Sequence, residues 1–265
     1  MILRTLCAAT LALPAVAAEI TPDTLDTLPA ADVVFLGEVH DNPLHHIHQT
    51  RATTAIAPKA LVFEMLTAEQ AARIPNPLPD QGTLAELLDW QNSGWPDFAM
   101  YYPIFSAAPD AAIYGAALPR ESARASLQDG IEAHFPADPA QFGLNTPLSP
   151  EDQAAREAHQ AHAHCDALPE TLLPGMVAIQ RLRDALLAHA ALRAHHDTGG
   201  PVVVITGTEH ARRDIAAPAK LARAAPDLPQ LAIGQFEQPQ DTPPPHDLWL
   251  VTDPHPRPDP CDAFR

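Results

Sequence analysis

The sequence predicts an α/β fold: a mostly parallel central sheet flanked by helices, in a single domain. Three observations predict it. Short unbroken apolar runs alternate along the chain with segments of helical period. Two of those runs, ADVVFLGEVH at 31–40 and PVVVITGTEH at 201–210, end alike, in a glycine followed three residues on by a histidine. No linker or low-complexity tract divides the 265 residues, a length that supports one sizeable core.

The chain opens on MILRTLCAATLALPAVAAEI, with Arg4, an apolar stretch and small residues at 16–18. This reads as a secretory leader over residues 1–18, cut near Ala17 or Ala18, with the domain proper at 19–265. The run is too short to span a bilayer comfortably. Cys7 lies too early, three residues after Arg4, for a convincing lipid-anchor site. The expectation is an exported, periplasmic protein. Cys165 and Cys261 remain after the leader; an oxidising compartment permits their pairing, but sequence does not give their separation.

Asp32–Gly37 reads as a strand covered on both faces. Asn42 caps a helix with Pro43 in its first turn, running to about Ala57 before Pro58. Leu61–Glu64 is the next strand, so this opening unit is a right-handed βαβ crossover with parallel strands. Thr67 to Asp80 is polar and proline-bearing, and Thr83–Asp89 reads as a short helix. Trp90, Trp95, Phe98, Tyr101, Tyr102 and Phe105 gather in one aromatic stretch. Ala111–Ala116 is a weaker strand, followed by a helix from Pro119-Arg120 to about Gln128. Residues 129–150 show no periodicity. Ser149 caps a helix reaching about Cys165, with acids near its positive end. Pro174 to about His196 is the longest helix, its stripe formed by Met176, Ile179, Leu182, Leu186 and Ala190. Pro201–Thr206 is the third strong strand. A helix over Pro218–Ala225 and strands at Leu231–Gly234 and Leu248–Thr252 complete the order, and a proline-rich tail follows.

The formal charge is −17, from 33 acids against 16 Lys and Arg. Such a chain has no general attraction for nucleic acid or anionic lipid. No G-x-S-x-G elbow, P-loop or C-x-x-C is present.

In parallel sheets ligands bind beyond the carboxyl ends of the strands. Glu38 and His40 follow the first strand, Glu64 ends the second, Arg120 follows the weaker one, and Glu209 and His210 follow the third. Glu38, His40, Glu64 and His210 are chemically suited to a divalent metal such as zinc, manganese or iron. Their ordinary role would be to cap helices and satisfy one another; two G-x-x-H turns, each after a strand, favour a shared site. The glycines are expected to let the backbone turn sharply. His45, His46 and His48, and later His159, His162 and His164, are weaker candidates, since surface histidines are common. Arg51, Arg120, Arg183 and Arg212 are cations able to meet carboxylates of a ligand.

Taken together, VVFLGEVHDNPLHH at 33–46, LVFEM at 61–65, YYPIF at 101–105, LPR at 118–120, HC at 164–165, MVAIQRLRDALLAHA at 176–190 and VITGTEHARRD at 204–214 carry a resemblance. The chain resembles the ChaN-like haem-binding uptake proteins, within the wider Tiki, TraB and erythromycin-esterase-like superfamily. The resemblance implies an α/β fold and haem binding in bacterial iron acquisition. Haem is then the cofactor and chief partner, with a homodimer and outer-membrane haem uptake machinery as further candidate partners. The haem-binding candidates are Tyr102, His164, Tyr101 and Arg120, since haem iron accepts Tyr or His and propionates pair with arginine. Alignment through Pro103 favours Tyr102 over Tyr101. For the superfamily, the alternative is a metal-dependent hydrolase of esterase or peptidase type. Its catalytic residues would be Glu38, His40, Glu64 and His210, with Arg120 steadying negative charge. One departure stands out: the family often has asparagine before the Leu-Pro-Arg segment, and this chain has Ala117. A third reading, a protein with neither ligand, fits the convergence of rim residues least.

Overall fold

The computed structural model describes residues 17–259, 261 and 262. The leader assignment falls largely on residues outside these. Seven strands form one sheet: β1 (Ala18–Glu19), β2 (Val33–Glu38), β3 (Ala60–Phe63), β4 (Ala112–Gly115), β5 (Val202–Gly207), β6 (Gln230–Phe236) and β7 (Leu248–Val251). Their order is β1-β7-β6-β2-β5-β3-β4, and every pairing is parallel. The helices are α1 (Pro43–Ile56), α2 (Ala68–Ala72), α3 (Gln81–Leu87), α4 (Phe98–Ala107), α5 (Arg120–Asp129), α6 (Pro150–Ala163), α7 (Leu173–Thr198) and α8 (Ala217–Ala224).

The sheet divides the core. Ala52 of α1, Leu84 of α3, and Phe98, Tyr101, Ile104 and Phe105 of α4 pack with Val34, Leu36, Leu61 and Phe63 on one face. Leu182, Ala185 and Ala188 of α7 and Leu221 of α8 pack with Val33, Phe35, Val62 and Val204 on the other. Every residue of β2 and β5 is buried, which is why both read as unbroken apolar runs instead of alternating ones.

This arrangement places the ligand crevice. From β2 the chain crosses through α1 on one face to β3. From β5 it crosses through α8 on the other face to β6. The adjacent strands β2 and β5 therefore send their connections to opposite sides, and a crevice opens between their carboxyl ends. The two G-x-x-H turns sit at that switch point.

Three elements differ from the sequence reading. The aromatic stretch holds α4, with Pro103 inside it. Interior proline costs a helix about 3 kcal/mol, and here burial outweighs it: Phe105 stacks on Phe63 with centroids 4.1 Å apart. The polar section holds α2, closed by a capping box in which Thr67 and Gln70 satisfy each other's backbone N–H groups. Residues 129–150, without period, still supply core residues Ile131, Phe135, Phe142 and Leu144.

The glycines of the two turns act through space, not through backbone freedom. Neither is among the positive-φ residues. A Cβ on Gly37 would lie 2.9 Å from the Ile233 carbonyl oxygen, and one on Gly207 would lie 3.1 Å from His40 Nε2. Cys165 and Cys261 form a disulfide, 96 residues apart. It ties the tail to the end of α6, and a loop of that size stabilises by about 4–5 kcal/mol in the chain-entropy account. The tail is also held by Arg257, whose Nε donates to Asp41 at 2.7 Å and which pairs with Glu237.

Candidate functional site

β2 ends on Glu38, which is 2% exposed. Its Oε1 accepts from the Tyr101 hydroxyl at 2.8 Å and lies 2.7 Å from His40 Nδ1. Burial opposes charge on His40, but the Glu38 hydrogen bond and the charge of Glu64 outweigh it and raise the His40 pKa. The imidazole packs against Trp95 edge to face at 4.8 Å. Burial, with the carboxylates Glu38 and Glu64 nearby, pushes the Tyr101 phenol far up, so it stays protonated and acts as a donor.

β3 delivers Glu64 just beyond its last residue. Its Oε2 accepts from Thr206 Oγ1 at 2.6 Å and from the Gly207 N–H at 2.8 Å. Burial opposes ionisation, but facing His210 and His40 lower the Glu64 pKa. His210 Nε2 lies 3.6 Å from Glu64 Oε1. Its Nδ1 lies 2.7 Å from Asp184 of α7. Burial works against the imidazolium, yet Glu64 and Asp184 together raise the His210 pKa to about 9. Burial pushes Asp184 up, with His210 pulling the other way.

Sequence reasoning missed Asp184. The signal was available: an acid between Leu182 and Ala185, inside the longest apolar helix, is a buried charge in need of a partner.

Two imidazole–carboxylate pairs thus face a cleft of about 530 Å³ at the switch point, lined by His40, Glu64, Trp95, Arg120, Arg183 and His210 among others. Glu38 supports it from behind. Such an arrangement can hold an anion and move protons. Among the described residues no group of three or more His, Cys, Asp or Glu is placed to hold a metal ion. Each imidazole turns its Nδ1 to a carboxylate, Glu38 for His40 and Asp184 for His210.

The α1 histidines serve the scaffold. His45 accepts from the Val39 N–H at 2.8 Å and meets Thr252 Oγ1 at 2.9 Å, and burial drives its pKa down to about 3. His48 meets Gln235 at 2.8 Å, and His46 Nε2 meets the His40 carbonyl at 2.8 Å.

The four haem-binding candidates do not share one place. Tyr101 is fully buried and committed to Glu38. Tyr102, half-buried, donates to the Pro79 carbonyl at 3.0 Å and packs against the core on the α4 face of the sheet. His164 ends α6, its Nδ1 2.8 Å from the Gln160 carbonyl, and lines a cleft of about 470 Å³ with Val177 and Asp184 of α7, which adjoins the rim cleft at Gln180 and His210. Arg120 lines the rim cleft. Tyr102 and His164 belong to helices on opposite faces of the sheet. α1 and α4 form a largely apolar groove of about 500 Å³, lined by Pro43, His46, Ile47, Ala99, Met100 and Pro103 among others; Tyr102 precedes Pro103 in the chain but is not part of that lining.

The model of the haem-binding uptake family, Tiki superfamily, ChaN, matches residues 24–221. The chain belongs to this family. Among solved structures, the chain is similar to the structure described as cofacial haem binding to ChaN of Campylobacter jejuni, with TM-score 0.62 and 19% identity, covering 85% of this chain and 88% of that one. At that identity the likeness shows a common fold. A succinoglycan biosynthesis protein (TM-score 0.42, 16% identity, 78% and 66% covered) and the type III effector HopBA1 (TM-score 0.44, 14% identity, 84% and 88% covered) are more distant and carry no argument. No curated protein matches the sequence.

Proposed function

We propose that this chain is an exported haem-binding protein of bacterial iron acquisition. Family membership across residues 24–221 carries the reading. The groove between α1 and α4 suits one face of a flat apolar macrocycle: its lining is mainly apolar, and Leu44 and Ile47 of α1 lie exposed, at 40% and 59%. Tyr102 is the residue to hold the iron, because its phenol is only half-buried and its single hydrogen bond is to a carbonyl. Tyr101 serves Glu38 and is unavailable. Bound haem would supply the iron for delivery, and the chain's part is to bind and shield it. Cofacial binding, as described for the Campylobacter jejuni protein, would bring a second copy of the chain to this face as a homodimer.

The disulfide supports export, since such bonds persist in oxidising compartments. No helix among the described residues is long and apolar enough to cross a membrane. Titrating the mature protein with hemin tests the reading. The expected result is a Soret band that shifts and saturates at a fixed stoichiometry, with the species doubling in mass on size exclusion. A linear, unsaturated response overturns it.

A second reading is favoured by one observation, the two imidazole–carboxylate pairs at the switch point. It makes Glu38, His40, Glu64 and His210 a hydrolytic site, with Arg120 meeting negative charge. In its metal-dependent form the donors would be Glu64 and the Nε2 atoms of His40 and His210, whose Nδ1 atoms are held by Glu38 and Asp184. Turnover of an ester and peptide panel, with and without added Mn²⁺ or Zn²⁺, tests it; no turnover under either condition removes it.

A further inference from the structure

The structure sorts the four arginines that stand out in the sequence. Arg51 pairs with Asp23 and Asp26. Arg212 pairs with Glu209 and Asp214. Arg120 and Arg183 form no ion pair among the described residues; Arg183 has only a 3.5 Å contact with Gln180. Both line the rim cleft.

The acids around that cleft are already taken. Glu38 accepts from Tyr101 and faces His40 through one oxygen, and its other oxygen is buried outside the cleft lining. Glu64 accepts from Thr206 and the Gly207 N–H. Asp184 faces His210. None is left for the arginines, in a chain where acids outnumber Lys and Arg by 33 to 16. Two unpaired guanidinium groups in one concave site, under that excess of negative charge, mark a place that takes its anion from outside. Guanidinium presents a planar fork that matches a carboxylate. The apolar wall of Met65, Leu118 and Leu187 suits a carbon skeleton behind it. Arg120 is also the first residue of α5, whose N-terminus has no side-chain cap, so the positive end of that helix dipole lies beside the same cleft.

We propose that the rim cleft binds the carboxylate of an organic anion, held by Arg120 and Arg183. The anion is either a free small carboxylate or a propionate of haem. The site stands apart from the α1/α4 groove; a free carboxylate there does not rest on the haem reading, whereas a propionate does.

The test uses the full mature chain. Succinate is titrated calorimetrically into wild type, Arg120→Gln, Arg183→Gln, the double variant and Arg73→Gln, an exposed arginine that does not line the cleft. In parallel, hemin and hemin dimethyl ester, whose propionates are blocked, are compared spectroscopically. If the source is a small carboxylate, succinate saturates wild type. Its affinity then falls at least about tenfold in the double variant and stays unchanged in Arg73→Gln. If the source is haem, succinate is silent, while hemin binds at least about tenfold more tightly than its ester in wild type and equally in the double variant. The proposal is overturned if neither succinate nor the ester comparison depends on the two arginines. Should the double variant not fold, the single variants decide by the same criteria. Should hemin fail on wild type altogether, the haem reading falls while succinate still decides this one.

Discussion

The rim cleft and the α1/α4 groove differ in how their polar groups are met, and two adjacent tyrosines of α4, neither of them in either lining, show the contrast between scaffold chemistry and ligand chemistry. Tyr101 turns its hydroxyl to buried Glu38 and closes a polar network at the switch point. Tyr102, one residue on, turns away to the Pro79 carbonyl. At the rim, polar groups are numerous and nearly all satisfied by one another. At the groove, polar groups are few and apolar side chains are exposed. A set of histidines and acids at the ends of strands is therefore not by itself a ligand site. Much of it is tied into its own hydrogen bonds, and the guanidinium groups of Arg120 and Arg183 stay without an ion pair among the described residues.

The largest break in this contrast comes from Glu38→Leu. It strips the Tyr101 hydroxyl and His40 of their buried partner, and losing one member of a buried pair costs about 3–5 kcal/mol. Urea denaturation should show that loss, and a cost near zero would mean the rim network is not structural. Tyr102→Phe, by contrast, removes one half-buried hydrogen bond and should cost about 1 kcal/mol in the same assay.

Stability should also depend on pH from both sides. The His210 pKa rises from 6.5 to about 9 on folding, so its contribution is complete below pH 6.5 and is lost as pH climbs through 9. His45 runs the other way: burial lowers it from 6.5 to about 3, so its contribution is present above pH 6.5 and is lost as pH falls toward 3. Denaturation midpoints across that range check both signs. In Asp184→Asn the alkaline loss should shrink, because one of the two carboxylates that raise His210 is gone. An unchanged alkaline limb would remove His210 as its source. The smallest effect is expected at exposed Arg120: Arg120→Gln should move stability by no more than about 0.5 kcal/mol. A larger shift would make the guanidinium part of the scaffold.

The strands were legible because their causes are local. β2, β3 and β5 are buried on both faces and therefore read as apolar runs bounded by turn residues. α1 and α6 were legible at their starts, where Asn42 and Ser149 cap with proline next in line. α4 was not, because Pro103 contradicts a helix and only its packing on Phe63 and Trp90 compensates. At the site, the convergence of Glu64, His40 and His210 followed from strand order. The pairing of His210 with Asp184 did not, since it depends on how α7 lies across the sheet. The placement of Tyr102 and His164 on opposite faces was likewise a matter of topology that no motif encodes.

Adjacent tyrosines serve different regions, and a hemin titration of wild type, Tyr101→Phe and Tyr102→Phe separates their roles. Tyr101→Phe is expected to keep the wild-type Soret spectrum and stoichiometry, while Tyr102→Phe loses the spectrum and at least about tenfold in affinity. A Tyr102→Phe protein that binds and absorbs like wild type, or a loss confined to Tyr101→Phe, would contradict this division.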